Sequence, residues 1–195
     1  TQLFAEVFNK MGISVLEIHS RKSQSHRTNV AEQFRRGSNM ILFSSDVSAR
    51  GMDYPDVTAV VQVGMPSDRA QYIHRLGRTA RAGKSGGGFL LLADFEAGFV
   101  RQLSDLPLSK RQELAPAVTA QMLPQFHRAF GSLGSKTLGC GYQAYLGFYN
   151  SNLKRLRWSQ NDLVQNANEF AINVLGLPSP PPLEAKTVGK MGLKG

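Results

Sequence analysis

Met40-Ile41-Leu42-Phe43-Ser44-Ser45-Asp46-Val47-Ser48-Ala49-Arg50-Gly51-Met52-Asp53 runs an apolar stretch directly into hydroxyls, aspartates and a glycine. The apolar run reads as a strand. The polar stretch then falls at the strand's carboxyl end, where open α/β sheets place their ligands. Upstream, Leu3, Phe4, Val7, Phe8 and Met11 repeat at intervals of three and four, an amphipathic helix that Gly12 ends. Ile13 to Ile18 follows as a short β-branched strand. The pattern turns helical again from Ser23 to Arg36, with Val30, Ala31 and Phe34 on one face and Gly37 at the C-cap. Downstream come a strand from Thr58 to Val63, a helix from Asp68 to about Arg78, a strand from Gly88 to Ala93 and a helix near Asp94 to Leu103. Apolar strands alternating with helices imply an α/β fold, a parallel sheet covered by helices on both faces.

Beyond Leu106-Pro107 the character changes. From Gln112 to about Leu175 the pattern is helical, with no convincing strand, and Pro178 to Pro182 reads as a stiff polyproline-like tail rather than packed structure. The expected organisation is a first domain over 1–104, a helical basic extension over 105–177 and a Pro-rich basic tail over 178–195.

The 195 residues carry 23 Lys and Arg against 14 Asp and Glu, a net charge of +9. Such a surface attracts polyanions, of which nucleic acid is the commonest. Residues 1–100 hold 12 basic and 9 acidic side chains, and residues 101–195 hold 11 and 5, so the extension carries most of the excess. Cys140 is the single cysteine, which leaves no internal disulfide and no cysteine-based metal site. No apolar run approaches the ~18 residues of a membrane span, so no membrane partner is expected. The start, Thr1-Gln2-Leu3-Phe4, has no signal-peptide layout and reads as a piece of something longer.

Three segments carry chemistry. In His74-Arg75-Leu76-Gly77-Arg78-Thr79-Ala80-Arg81, a helical conformation would advance the arginines by only ~60° per three residues and align Arg75, Arg78 and Arg81 as one cationic flank. Guanidinium forks suit phosphate and the charge that develops in phosphoryl transfer. The bland alternative is a solvated basic face. In Ser44 to Asp53, hydroxyls and backbone N–H groups can face an anion and Asp53 can accept from a ribose, against the alternative of a plain capped turn. Gln24-Ser25-His26-Arg27, at a helix start, is by itself an exposed polar turn.

Taken in this order and spacing on an alternating α/β pattern, the three segments resemble the second motor domain of DEAD-box RNA helicases. His74 to Arg81 resembles the family's His-Arg-Ile-Gly-Arg-Thr-Gly-Arg motif, Ser44 to Asp53 its Ala-Thr-Asp-x-x-Ala-Arg-Gly-Leu-Asp motif, and Gln24 to Arg27 its Gln-x-x-Arg element. Ser45 stands for the usual threonine and keeps its hydroxyl; Ala80 stands for a glycine. The resemblance covers residues 1 to about 104 and implies a RecA-like parallel sheet.

It also implies roles. Arg78 and Arg81 would contact the phosphates of ATP and serve as the arginine finger, and Asp53 would hold the ribose. Gln24, Arg27, Ser45 and the backbone at Gly51 would grip the RNA backbone without reading sequence. Asp46, Arg50, His74 and Arg75 would couple to a first RecA-like domain in cis, which in this family holds the ATP phosphates and Mg²⁺. The metal ligands would lie there, so this piece alone is expected not to hydrolyse ATP. A monomer is expected.

The extension, notably Ala144-Tyr145-Leu146-Gly147-Phe148-Tyr149-Asn150-Ser151 and Lys190-Met191-Gly192-Leu193-Lys194, is similar to that of the mitochondrial splicing-type DEAD-box RNA chaperones and their plant relatives. Lys154, Arg155 and Arg157 beside Trp158 are candidates for further RNA contacts. Tyr145, Phe148 and Tyr149 read rather as helix-core residues. The extension also suggests an organelle, with nucleus or cytoplasm left open. The alternative from a different class is a non-catalytic RNA-binding module or truncated remnant.

Overall fold

In the computed structural model, residues 1–46, 54, 56–111 and 115–193 are described. The chain divides into two compact units. The first is residue 1 with 14–112, and the second is 2–13 with 113–195.

The first unit alternates strands and helices. β1 (Val15–Ile18) pairs in parallel with β2 (Ile41–Ser44), in the register Val15↔Ile41 to Ile18↔Ser44, and the Ser45 N–H extends the ladder to the Ile18 carbonyl at 3.1 Å. Their crossover is helix α1 (Gln24–Arg36). The Ser23 hydroxyl caps its start by accepting from the His26 N–H at 3.2 Å, and the Gly37 N–H closes its end on the Gln33 carbonyl at 3.0 Å. Arg35 and Arg36 both pair with Glu32, and they set positive charge in the last turn, where the helix dipole favours it. The inner face places Val30 and Ala31 in a cluster with Ile18 and Tyr54, edged by Leu16, Phe34, Leu42 and Val57. Phe34 meets the Tyr54 ring edge to face at 5.4 Å.

β3 (Ala59–Val63) and β4 (Gly87–Leu91) form a second parallel ladder, Ala59↔Gly87 to Val63↔Leu91, with α2 (Arg69–Leu76) as their crossover. A 3₁₀ helix, Asp94–Leu103, follows. Its Glu96 carboxylate is buried and accepts from the Met65 N–H at 2.9 Å and the Ala93 N–H at 3.0 Å, tying the helix start to the loop beyond β3. The strands and the alternation match the expectation of a parallel α/β fold. Two points differ. The described strands form two two-stranded ladders rather than one sheet. One face of the β3–β4 ladder is also open, with Val61 at 56%, Val63 at 71% and Leu91 at 55% exposure.

The second unit is helical: α3 (Gln2–Lys10), α4 (Pro116–Gly131), α5 (Ser135–Asn150), α6 (Leu153–Leu156), α7 (Gln160–Glu169), a π-helical turn (Phe170–Val174) and α8 (Ala185–Met191). α3 docks on α4 through Phe4 on Phe130 and Phe8 on Phe126, with ring centroids 6.4 and 6.0 Å apart. Leu138, Tyr142, Leu146 and Tyr149 of α5 are buried, as are Leu163 and Ala167 of α7. The Tyr142 hydroxyl donates to Asn168 at 2.8 Å. The Pro-rich segment differs from the extended tail expected of it: Pro180 and Pro181 are half-buried, and the chain then coils into α8, whose Met191 side chain lies beside Gly147 of α5. No helix among the described residues is long and apolar enough to cross a membrane.

Candidate functional site

The carboxyl ends of β1 and β2 gather the first group of candidates. Ser45 and Asp46 follow β2, and the buried His19 follows β1. Burial holds the His19 imidazole below its ordinary pKa, against the opposing pull of Glu17. Gln24 and Arg27 sit one turn apart at the start of α1, and Arg27 donates from Nη2 to the Gln24 side-chain oxygen at 2.6 Å. The buried Arg27 Nε has no hydrogen-bond partner among the described residues.

The second group lies at the amino ends of β3 and β4. That is opposite to the expectation that ligand residues cluster at carboxyl ends. The cause is the end of α2. The cationic flank required a helix continuing to about Arg78, yet α2 stops at Leu76, where the Gly77 N–H turns back to the Ile73 carbonyl at 2.8 Å. Arg75 therefore stays on the helix while Arg78 and Arg81 occupy the turn beyond it. Ala80, Ala82 and Gly83 all adopt positive φ, at 55°, 53° and 77°. Arg78 donates from Nε to the His74 carbonyl at 3.3 Å, and Arg81 from Nε to the Gly77 carbonyl at 2.7 Å. These bonds hold each arginine by its Nε. Both side chains line a cavity of about 90 Å³ with Tyr54, Asp56, Val57, Thr58, Lys84 and Ser85. Lys84 pairs with Asp56 at its rim.

A bidentate ion pair connects the two groups. Arg75 reaches Asp46 through Nε to Oδ1 at 2.6 Å and Nη2 to Oδ2 at 2.9 Å, joining the segment after β2 to the last turn of α2. This fork-to-carboxylate geometry is what makes arginine, and not lysine, specific here. His74, on the same turn, is exposed. Arg50, Gly51 and Asp53 lie outside the described residues. Lys84, Ser85 and Thr79 were not singled out from sequence. The triple glycine Gly86-Gly87-Gly88 was the available signal, since it marks a close backbone approach. No group of three or more His, Cys, Asp or Glu side chains suited to a metal occurs among the described residues.

In the second unit, Lys154, Arg155 and Arg157 are exposed, and the half-buried Trp158 ring packs against Tyr149 at 5.6 Å. Tyr145 stacks on Phe170 at 4.4 Å, Tyr149 is buried, and Phe148 stays partly open at 40% exposure.

Residues 1–83 match the family described as helicase conserved C-terminal domain. Over 194 residues the chain is 47% identical to DEAD-box ATP-dependent RNA helicase 31 of Arabidopsis thaliana, covering all of this chain and 26% of that protein. It is 48% identical over 193 residues to DEAD-box ATP-dependent RNA helicase 26 of Oryza sativa subsp. japonica, covering 99% and 35%. It is 43% identical over 199 residues to the mitochondrial ATP-dependent RNA helicase mss116 of Aspergillus oryzae, covering 99% and 31%. The chain thus spans about a third or less of the length of these curated relatives. Among solved structures, Mss116p bound to single-stranded RNA and AMP-PNP superposes with a TM-score of 0.74 at 28% identity, over 98% of this chain and 39% of that one. Domain 2 of Mss116p bound to an RNA duplex gives the same score and identity, with 77% of that chain covered.

Proposed function

We propose that this chain, whose residues 1–83 match the helicase conserved C-terminal domain, is the second motor domain, over 1–104, of an ATP-dependent DEAD-box RNA helicase, followed by an RNA-binding helical extension. ATP is the substrate, held mainly by a first domain in cis. Arg78 and Arg81 neutralise charge on its phosphates, with Asp53 on the ribose. The observation that carries this reading is the cavity at the amino ends of β3 and β4, which Arg78 and Arg81 line, each held by its Nε, while Lys84 is paired with Asp56. Arginines on a small pocket are suited to phosphoryl oxygens, and fixed guanidinium groups there stabilise transition-state charge without reorganising.

RNA lies, on this reading, across the carboxyl ends of β1 and β2. Gln24, Arg27 and Ser45 grip its backbone, with Gln24 and Arg27 already joined at 2.6 Å at the start of α1. Asp46, Arg50, His74 and Arg75 couple to the first domain when the motor closes, a reading that the Arg75–Asp46 fork supports by holding the segment after β2 to the last turn of α2. The exposed Lys154, Arg155 and Arg157 extend the RNA path onto the extension. The protein works as a monomer, and a mitochondrial or other organellar address is proposed from its relatives.

The test is substitution in the full-length protein. Arg81→Ala or Arg78→Ala lowers ATP turnover by roughly 10³-fold, the scale of losing a finger, while RNA affinity of the 195-residue chain stays within twofold. Unaltered turnover in both variants would contradict the phosphate assignment.

A further inference from the structure

The turn that presents Arg78 and Arg81 is held from beneath by residues outside the cationic set. Thr79, between the two arginines, is only 6% exposed, although the arginines around it and Ala80 beside it reach the surface. Its hydroxyl donates to the carbonyl of Val57, 22 residues away at the entrance to β3. The Val57 side chain packs against the buried cluster of the first unit, so Thr79 is fastened to the core.

From the other side the turn is met by Gly86. A Cβ on Gly86 would collide with the Thr79 hydroxyl, and would stand 2.8 Å from the Ala80 nitrogen and 3.0 Å from the Thr79 Cβ. Two of these obstacles are a backbone atom and a β-carbon, neither able to swing aside. Two residues on, a Cβ on Gly88 would strike the Leu76 side chain, and the Gly87 N–H donates to the Thr58 carbonyl at 2.8 Å. The glycine run thereby admits the whole end of α2 against β4. The positive φ of Ala80 and Ala82 shows what this fastening must hold, since alanine resists that conformation by about 1–2 kcal/mol.

We infer that Thr79 and Gly86 are positioning residues for ATP hydrolysis: the Thr79–Val57 hydrogen bond and the missing Cβ of Gly86 fix the turn that aims Arg78 and Arg81 at the phosphates. Neither residue touches the nucleotide. The inference rests on the arginine assignment above. A transition-state contact misplaced by about 1 Å costs about a hundredfold, so the effect falls on kcat.

In the full-length protein, Thr79→Val removes the donor and keeps the shape. It lowers kcat tenfold or more while KM for ATP and RNA affinity stay within threefold; Thr79→Ser, which restores the hydroxyl, recovers at least half of the loss. Gly86→Ala reproduces the kcat defect. Thermal unfolding of each variant, followed at the assay temperature, separates a displaced turn from an unfolded domain. A Thr79→Val protein that is folded and keeps wild-type kcat overturns the inference, as does one that is inactive because it is unfolded while Gly86→Ala is folded and fully active. Arg81→Ala is run alongside. If it abolishes turnover while folded Thr79→Val does not, the positioning claim alone fails; if neither Arg81→Ala nor Arg78→Ala has an effect, both fail.

Discussion

Ala80 shows how a single residue records the demands of the site. It holds φ at 55°, where a side chain clashes with its own backbone and where glycine sits freely. The family motif that this segment resembles has glycine there. Ala80→Gly therefore removes a strain of about 1 kcal/mol but restores disorder to the unfolded chain, worth about 0.4–1 kcal/mol in the other direction. The expected result is a melting temperature unchanged or slightly raised, whereas Ala80→Val, with a branched side chain in the same conformation, lowers it clearly. Equal melting temperatures for glycine and valine would mean that the turn is not strained. Residue identities of this kind were only partly legible in the sequence. Asp46 entered only through the family resemblance, and the arginines stood out by type, although the helix expected to align them ends at Leu76. Thr79 did not, because what distinguishes it is a bond to a carbonyl 22 positions earlier, which no local pattern encodes.

Elements followed the same division. Where local chemistry decides an end, the sequence told it: Ser23 and Gly37 bound α1, and Asp68 caps α2 through a bond from the Gln71 N–H at 2.7 Å. Where tertiary contacts decide, it did not. α2 stops at Leu76 rather than near Arg78, as the glycine run and Thr79 draw the chain toward β3 and β4. The Pro-rich segment leads into α8, whose Met191 side chain lies beside Gly147 of α5. α7 offers a clean test of a local device. The Ser159 hydroxyl accepts from the Asp162 N–H at 3.2 Å, and the Asp162 carboxylate accepts from the Ser159 N–H at 2.7 Å, a reciprocal cap. Those bonds from Ser159 hold the Asp162 carboxyl below its usual range. A carboxyl depressed in the folded state stabilises above its unfolded pKa, and the gain is lost as pH falls through its folded value. Ser159→Ala lowers stability by about 1 kcal/mol at neutral pH. The gap to wild type narrows as pH drops below the usual carboxylate range; urea unfolding at neutral and acidic pH reads it. A gap independent of pH would show that Asp162 takes no part in the cap.

At the scale of the whole molecule, the sequence disclosed the alternating α/β pattern and the helical extension. Two parallel ladders, one of them with an open apolar face, were not legible, since periodicity reports which residues are apolar but not which strands lie side by side. The functional account makes this chain half of a catalytic site. On the proposed function it would contribute phosphate-facing arginines and an RNA-binding edge, with the remainder supplied by a first domain outside this chain; the curated relatives are about three or more times its length. The most direct test is ATP turnover by the 195-residue chain alone, with RNA in excess of its measured dissociation constant, beside the full-length protein. The account predicts RNA binding without hydrolysis above background for the chain, and RNA-stimulated hydrolysis for the full-length protein. RNA-stimulated hydrolysis by the chain alone would contradict it.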